Sequence, residues 1–230
     1  MSTQTTIQKT EQNVMNTYAR FPVSFVRGEG CYLWDEEGKK YLDLLAGIAV
    51  NGLGHSHPRI TEALARQAAT LIHTSNLFYI KEQAELAELL CRHSFADKVF
   101  FSNSGAEANE CAIKLARKFQ RQKKGPEAYW IVTMEKSFHG RTYATMTATA
   151  QAKIKEGFEP LPEGFIHIPY DDPVALETAV HQKTCAVLLE PVQGEGGVRF
   201  PAADYLKKAR EICDRHGALL IFDEVQTGMG

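Results

Sequence analysis

From about residue 98 onward, runs that are apolar along their whole length alternate with helix-patterned segments. The runs are KVFFS (98–102), YWIVTM (129–134), FIHIP (165–169), CAVLLE (185–190) and ALLIFD (218–223). A strand with one wet face alternates apolar and polar residues. These runs do not, so both of their faces must be covered. Between them lie ANECAIKLARKFQ after Ser104-Gly105-Ala106-Glu107, a segment opened by Asp172-Pro173 that runs to about 182, and one over about 202–215 closed by Gly217. Asp before Pro starts a helix, and Gly just past the last apolar position stops one. Strands and helices in this alternation predict an α/β fold, a mostly parallel sheet with helices on both faces.

The first quarter of the chain reads differently. Residues 1 to about 20 predict a loose arm with some helix. FVRGEGCYLWDEEGKKYLDL holds two β-rich runs around Asp35-Glu36-Glu37-Gly38 and predicts an antiparallel ribbon. Pro58 opens a helix with Ile60, Leu64, Leu71 and Ile72 on one side, and residues 81–93 form a second with Leu86, Leu89 and Leu90. This change of pattern sets an expected boundary: residues 1–56 as an N-terminal arm and ribbon, a small α+β segment, and residues 57–230 as a large α/β domain.

Composition narrows the function classes. The chain has 230 residues, 44% apolar and 23% charged, with a net charge of -2, the profile of an ordinary soluble domain. No long basic run argues for nucleic acid; Arg121-Gln122-Lys123-Lys124 reads as a solvated helix end. No stretch approaches the roughly 18 apolar residues of a membrane span, and MSTQTTIQKTEQNV lacks the apolar centre of a signal peptide. The five cysteines form no CxxC pair and read as reduced thiols. The expectation is a cytoplasmic protein without nucleic-acid or membrane partners.

In an open α/β sheet, ligands bind beyond the carboxyl ends of the strands. The residues found there are Asn103-Ser104-Gly105-Ala106, Ser137-Phe138-His139-Gly140-Arg141, Glu190 through Gly197, and Asp223 through Gln226. Gly105 allows close backbone approach, and the helix behind it offers free N–H groups, a seat for phosphate or a plain cap by Ser104. Neither a Walker loop nor GxGxxG is present, so no nucleotide is implied. Phe138 serves either as core or as a flat face for a planar ring. Arg141 serves either as a carboxylate fork or as a surface cation. His139 reads as a hydrogen-bonded structural histidine. His55 and His57 lack a third ligand, so no metal site is expected. Asp223 ends an apolar run and needs a partner, either a salt bridge or a protonated ring nitrogen.

Taken together and in this order, YLWDEEGKKYLDLLAGIAVNGLGHSHP, FFSNSGAEANECAIKLAR, SFHGRT, CAVLLEPVQGEGGV and LLIFDEVQTGMG resemble the class III, fold type I aminotransferases, which use pyridoxal phosphate. The resemblance covers nearly the whole chain from about residue 18. It implies a cofactor-phosphate cup at Ser104, Gly105 and Ala106, the last standing where many relatives have Thr. It implies Phe138 stacked on the cofactor ring, Asp223 at the ring nitrogen and Gln226 at the phenolic oxygen. Arg141 is implied as the grip on the substrate's α-carboxylate, Glu195 as a gating carboxylate, Tyr18 as a contact to the substrate's distal end, and Glu190 as support behind them. The branch most similar moves the δ-amino group of N-acetylornithine to 2-oxoglutarate in arginine biosynthesis, and its members are homodimers.

The same resemblance implies a Schiff-base lysine roughly 30 residues beyond the aspartate. Only seven residues follow Asp223, and Lys114, Lys118, Lys207 and Lys208 match no such position. The expectation is an incomplete large domain, cut before the lysine, with no catalytic lysine of its own and inactive alone. Competing readings are an aminotransferase for ornithine, 4-aminobutyrate or succinyl-diaminopimelate, and a non-catalytic module that keeps only the cofactor cup.

Overall fold

The computed structural model describes residues 2–228. The chain divides into two compact units, Met1–His93 and Ser94–Gly230. These compact units part at 93/94, and the expected domain boundary at 56/57 falls inside the first of them. The helices at Pro58–Thr70 and Lys81–Arg92 make the difference; they cluster with the ribbon, and neither contains a buried residue.

In the first unit, Ser2 caps α1 (Thr3–Asn13), its Oγ accepting the Thr5 N–H at 3.3 Å. Strands β1 (Phe25–Glu29), β2 (Tyr32–Asp35) and β3 (Lys40–Leu42) form an antiparallel meander. Buried Asp35 closes the β2–β3 turn: its Oδ1 accepts the N–H groups of Glu37 and Lys39 at 3.1 and 2.8 Å, and the Tyr41 hydroxyl donates to Oδ2 at 2.8 Å. The expected ribbon is therefore present. The arm is more ordered than expected, because the Thr3 and Thr6 hydroxyls donate to Glu37 and Glu36 of that turn at 2.8 and 2.6 Å. A short turn, α2 (Ala46–Ala49), with Gly47 and Ile48 at positive φ, precedes α3 (Pro58–Thr70) and α4 (Lys81–Arg92). Helix α3 stops at Thr70 and the backbone of Leu71 is extended, so Leu71 and Ile72 lie outside its apolar side.

The second unit runs α5 (Gly105–Lys124), β4 (Trp130–Met134), α6 (Tyr143–Ala148), β5 (Phe165–Ile168), α7 (Pro173–Ala179), β6 (Thr184–Leu189), α8 (Tyr205–His216) and β7 (Leu219–Phe222). The four strands pair in the order β5-β4-β6-β7, all parallel. Every residue of β6 is buried, as a strand covered on both faces must be. One core cluster joins Val132, Met134, Val187 and Leu189 to Leu176 of α7 and Tyr205 and Ile212 of α8. The other joins Ile131, Cys185 and Leu188 to Ile113 and Ala116 of α5. Each such side chain fully removed from water contributes roughly 1.5–3 kcal/mol, and it is this burial that holds the sheet rigid beneath the loops at its carboxyl end.

One expected strand is absent. Residues 98–102 join no ladder among the described residues, and Phe100 stays 67% exposed. An apolar, β-rich run has the propensity for a strand, but a strand forms only against a partner, and neither edge strand of the sheet pairs with this segment.

Candidate active site

The loops that follow the strands converge at the carboxyl edge of the parallel sheet, and their glycines register how closely they pack. A Cβ on Gly105 would stand 2.7 Å from Val225, one on Gly140 2.7 Å from Ala106, and one on Gly194 2.0 Å from the Gln226 side chain. The segments at 104–106, 138–141, 190–194 and 223–226 are thus linked by pairwise contacts; the last three follow β4, β6 and β7 as expected, whereas 104–106 follows the unpaired run 98–102 and opens α5.

Ser104 caps α5: its Oγ accepts the Glu107 N–H at 3.2 Å, and the Glu107 carboxylate accepts the Asn103 N–H at 2.6 Å. The Ser104 side chain is engaged within the cap. Among the described residues the N–H groups of Gly105 and Ala106 have no hydrogen-bond acceptor, so two donors at the positive end of a 20-residue helix remain available.

The turn at 137–140 is held from several sides. Ala150 N–H donates to the buried Ser137 Oγ at 3.4 Å, and His139 N–H donates to Thr149 Oγ1 at 2.8 Å. Gly140 at φ 127° allows the tight reversal. Phe138 is half-buried, with the Arg141 guanidinium 5.6 Å from its ring centre, and Arg141 is exposed.

Glu190 is only 5% exposed, and its Oε2 accepts the Phe138 N–H at 3.2 Å. Burial pushes its carboxyl up to about 7, against the opposing pull of His139 and of that N–H. Tyr170 donates to the carbonyls of Glu190 and Pro191 at 3.1 and 2.9 Å and fixes the start of the loop. Gln193, fully buried, anchors its middle by donating to the Glu135 carbonyl at 2.9 Å. Glu195, further out, is exposed.

Asp223 lies at the centre, 7% exposed. Its Oδ2 accepts from His139 Nδ1 at 2.8 Å and from Asn109 Nδ2 at 2.8 Å, while Oδ1 accepts the Val225 N–H at 3.2 Å. Burial alone would raise its pKa; the bonds from His139, Asn109 and Val225 outweigh burial and hold the carboxyl below its ordinary range. The outcome is a dehydrated anion at the end of a strand. The Gln226 amide, half-buried, lies over Gly194.

The second unit thus brings together Ser104, Gly105, Ala106, Phe138, Arg141, Glu190, Asp223 and Gln226. Tyr18 belongs to the first unit, where it is 54% exposed and lines a pocket with Thr10, Arg20 and Phe21. Of the histidines, His55 Nε2 lies 2.6 Å from Asp43 Oδ2 in the first unit. His139 is completely buried against Asp223, with its Nε2 lacking a partner among the described residues. No three His, Cys, Asp or Glu side chains gather as metal ligands among the described residues. Asn109 escaped the sequence reading, although a signal existed: it is a polar residue on the buried stripe of α5 that continues through Ile113, Ala116 and Gln120.

The family model for class-III aminotransferases matches residues 14–230. The chain belongs to that family. Among class-III relatives, it is 57% identical to the acetylornithine aminotransferase of Gloeobacter violaceus over 223 residues, 97% of this chain and 56% of that protein. The acetylornithine aminotransferase structure from Elizabethkingia anophelis superposes with a TM-score of 0.85 at 41% identity, covering 99% of this chain and 56% of the other. An ornithine aminotransferase from Toxoplasma gondii, whose active site is partly occupied by pyridoxal phosphate, gives a TM-score of 0.95 at 36% identity over 99% of this chain and 54% of its own. The chain spans about half the length of the curated relatives it matches. The aminotransferase fold and family expected from the motifs are therefore established.

Proposed function

We propose that the protein carrying this chain is a pyridoxal-phosphate enzyme that moves the δ-amino group of N-acetylornithine to 2-oxoglutarate. The observation that carries the reading is the buried Asp223 anion, kept charged by His139 and Asn109 beside the turn that bears Phe138. A carboxylate so dehydrated is stable only with a cationic or donor partner, and one lone pair of Oδ1 remains open. The other groups fit the same cofactor: two unpaired N–H groups at Gly105 and Ala106 for a phosphate, the Phe138 ring for a planar heterocycle, the Gln226 amide for a phenolic oxygen. When bound, pyridoxal phosphate supplies an electron sink for the carbanion formed as the substrate loses a proton.

Each residue then has a definable task. Asp223 holds the proton on the ring nitrogen, Phe138 fixes the plane of the ring, and the first turn of α5 neutralises the phosphate. Glu190 secures the Phe138 backbone. Arg141 receives the substrate α-carboxylate, Glu195 gates between donor and acceptor, and Tyr18 meets the substrate's distal end. The amine that the chemistry requires is assigned to the part of the relatives' length that this chain does not span; turnover by residues 1–230 alone would overturn that assignment. In the whole enzyme, we assign residues 57–230 to the large cofactor domain and residues 1–56 to a small one, in a cytoplasmic homodimer. No helix among the described residues is long and apolar enough to cross a membrane.

The test is a donor panel on the whole protein, N-acetylornithine against ornithine, 4-aminobutyrate and succinyl-diaminopimelate, with 2-oxoglutarate as acceptor. The expected outcome is the highest kcat/KM for N-acetylornithine, and loss of at least about a hundredfold in Asp223→Asn, since the amide no longer keeps the ring nitrogen protonated and removing one preorganised electrostatic group costs roughly 2.7 kcal/mol or more. A higher kcat/KM for another donor would reassign the substrate. An unimpaired Asp223→Asn would remove the cofactor role of this residue.

A further inference from the structure

Asn109 is the fifth residue of α5, on the same buried stripe as Ile113 and Ala116, and it is 6% exposed. A buried amide is costly unless its donors are used. Here one nitrogen uses both: Nδ2 donates to Asp223 Oδ2 at 2.8 Å and to the His139 carbonyl at 3.0 Å. The first bond reaches the anion, and the second reaches the turn that carries Phe138.

We propose that Asn109 is a positioning residue that fixes the Asp223 carboxylate with Oδ1 toward the cofactor ring nitrogen and locks it to the Phe138 turn. The inference rests on the pyridoxal-phosphate reading above. The geometry decides which oxygen faces the cofactor. A carboxylate oxygen has two lone-pair sites. On Oδ2 both are filled, one by Asn109 and one by His139 Nδ1; on Oδ1 only the Val225 N–H is bound. Without Asn109 each oxygen would keep one donor, His139 on Oδ2 and Val225 on Oδ1, and Oδ2 would have a lone pair open to compete with Oδ1 for the ring nitrogen. With Asn109 the carboxylate is held by three donors and Oδ2 is saturated, and its registry with the Phe138 turn is set by the same Asn109 side chain. Helix α5 therefore presents N–H groups for the phosphate at its first turn and orients the ring's counter-ion one turn later.

The experiment is a double-mutant cycle on the whole protein with Asn109→Ala, Asp223→Ala and the pair. Three quantities are measured: the dissociation constant of pyridoxal phosphate by fluorescence titration of apo-protein, kcat and KM for transamination, and the apo-protein melting temperature. The expected results are cofactor binding weakened about tenfold or more in each single variant and, in Asn109→Ala, kcat lowered about 10- to 100-fold with KM for the amino donor within about threefold. In the Asp223→Ala background, removing Asn109 should weaken binding by less than about twofold, because its effect passes through Asp223. A full additional loss in that background, or a change confined to the melting temperature, would overturn the proposal and leave the cofactor reading standing. Unchanged cofactor affinity in Asp223→Ala would overturn both. If Asn109→Ala fails to fold, Asn109→Ser, which keeps a smaller polar group, is put through the same cycle.

Discussion

At the scale of single residues, the site is a set of groups moved away from their behaviour in water. Glu190 is the clearest case, because its carboxyl rises from an ordinary 4.5 to about 7 on burial. Between those values the folded protein holds a proton that the unfolded chain has released, so stability falls as pH rises through this window and levels off above it. Glu190→Gln should abolish that slope: melting temperatures of parent and variant, followed from pH 4.5 to 8, should diverge in favour of the variant as pH rises. Parallel curves would mean that Glu190 titrates normally in the fold. Gly105 gives a steric test. The methyl of Gly105→Ala would lie 2.7 and 2.8 Å from the two Val225 methyl groups, an overpacking that costs about 1–3 kcal/mol. The cup should shift, weakening pyridoxal phosphate binding about tenfold in a fluorescence titration; undiminished binding would show that Val225 yields freely. The candidate residues at the strand ends were legible in the sequence because their positions follow from the sheet. Asn109 was not, since a polar residue on an apolar stripe becomes meaningful only when the groups opposite it are known. Gln120, on the same stripe, repeats the lesson: its amide donates to the Gly217 carbonyl at 2.8 Å and ties α5 to the end of α8.

At the scale of elements, what could be read was whatever local chemistry decides. The parallel strands β4, β6 and β7 were visible as continuous apolar runs, and the starts of α5 and α7 as Ser and Asp caps whose side chains accept first-turn N–H groups. The stop of α8 was visible as Gly217, which adopts the left-handed conformation, φ 60° and ψ 30°. Gly217→Ala should therefore destabilise the protein by about 1 kcal/mol, read as a lower denaturation midpoint; an unchanged midpoint would contradict the left-handed cap. Pairing was harder to read. Residues 98–102 have strand composition without a ladder, because pairing depends on a neighbouring edge and not on the run itself. Helix α7 ends at Ala179, short of the expected 182, because Val180 turns extended and packs into the core that the sheet shares with α8.

At the scale of the whole molecule, tightly packed segments at one edge of a parallel sheet hold a dehydrated anion at Asp223, bound by Asn109, His139 and Val225, and the aminotransferase reading depends on what that anion faces. The motifs made the family legible, and the catalytic lysine and partner subunit stay part of the proposal for the whole protein. Because the central claim is electrostatic, the most direct measurement is the nitrogen-15 chemical shift of ring-labelled pyridoxal phosphate bound to the whole protein, in the parent and in Asp223→Ala. The account expects a protonated ring nitrogen in the parent near neutral pH and a neutral one in the variant. A neutral ring nitrogen in the parent, or a protonated one that survives the loss of Asp223, would contradict it.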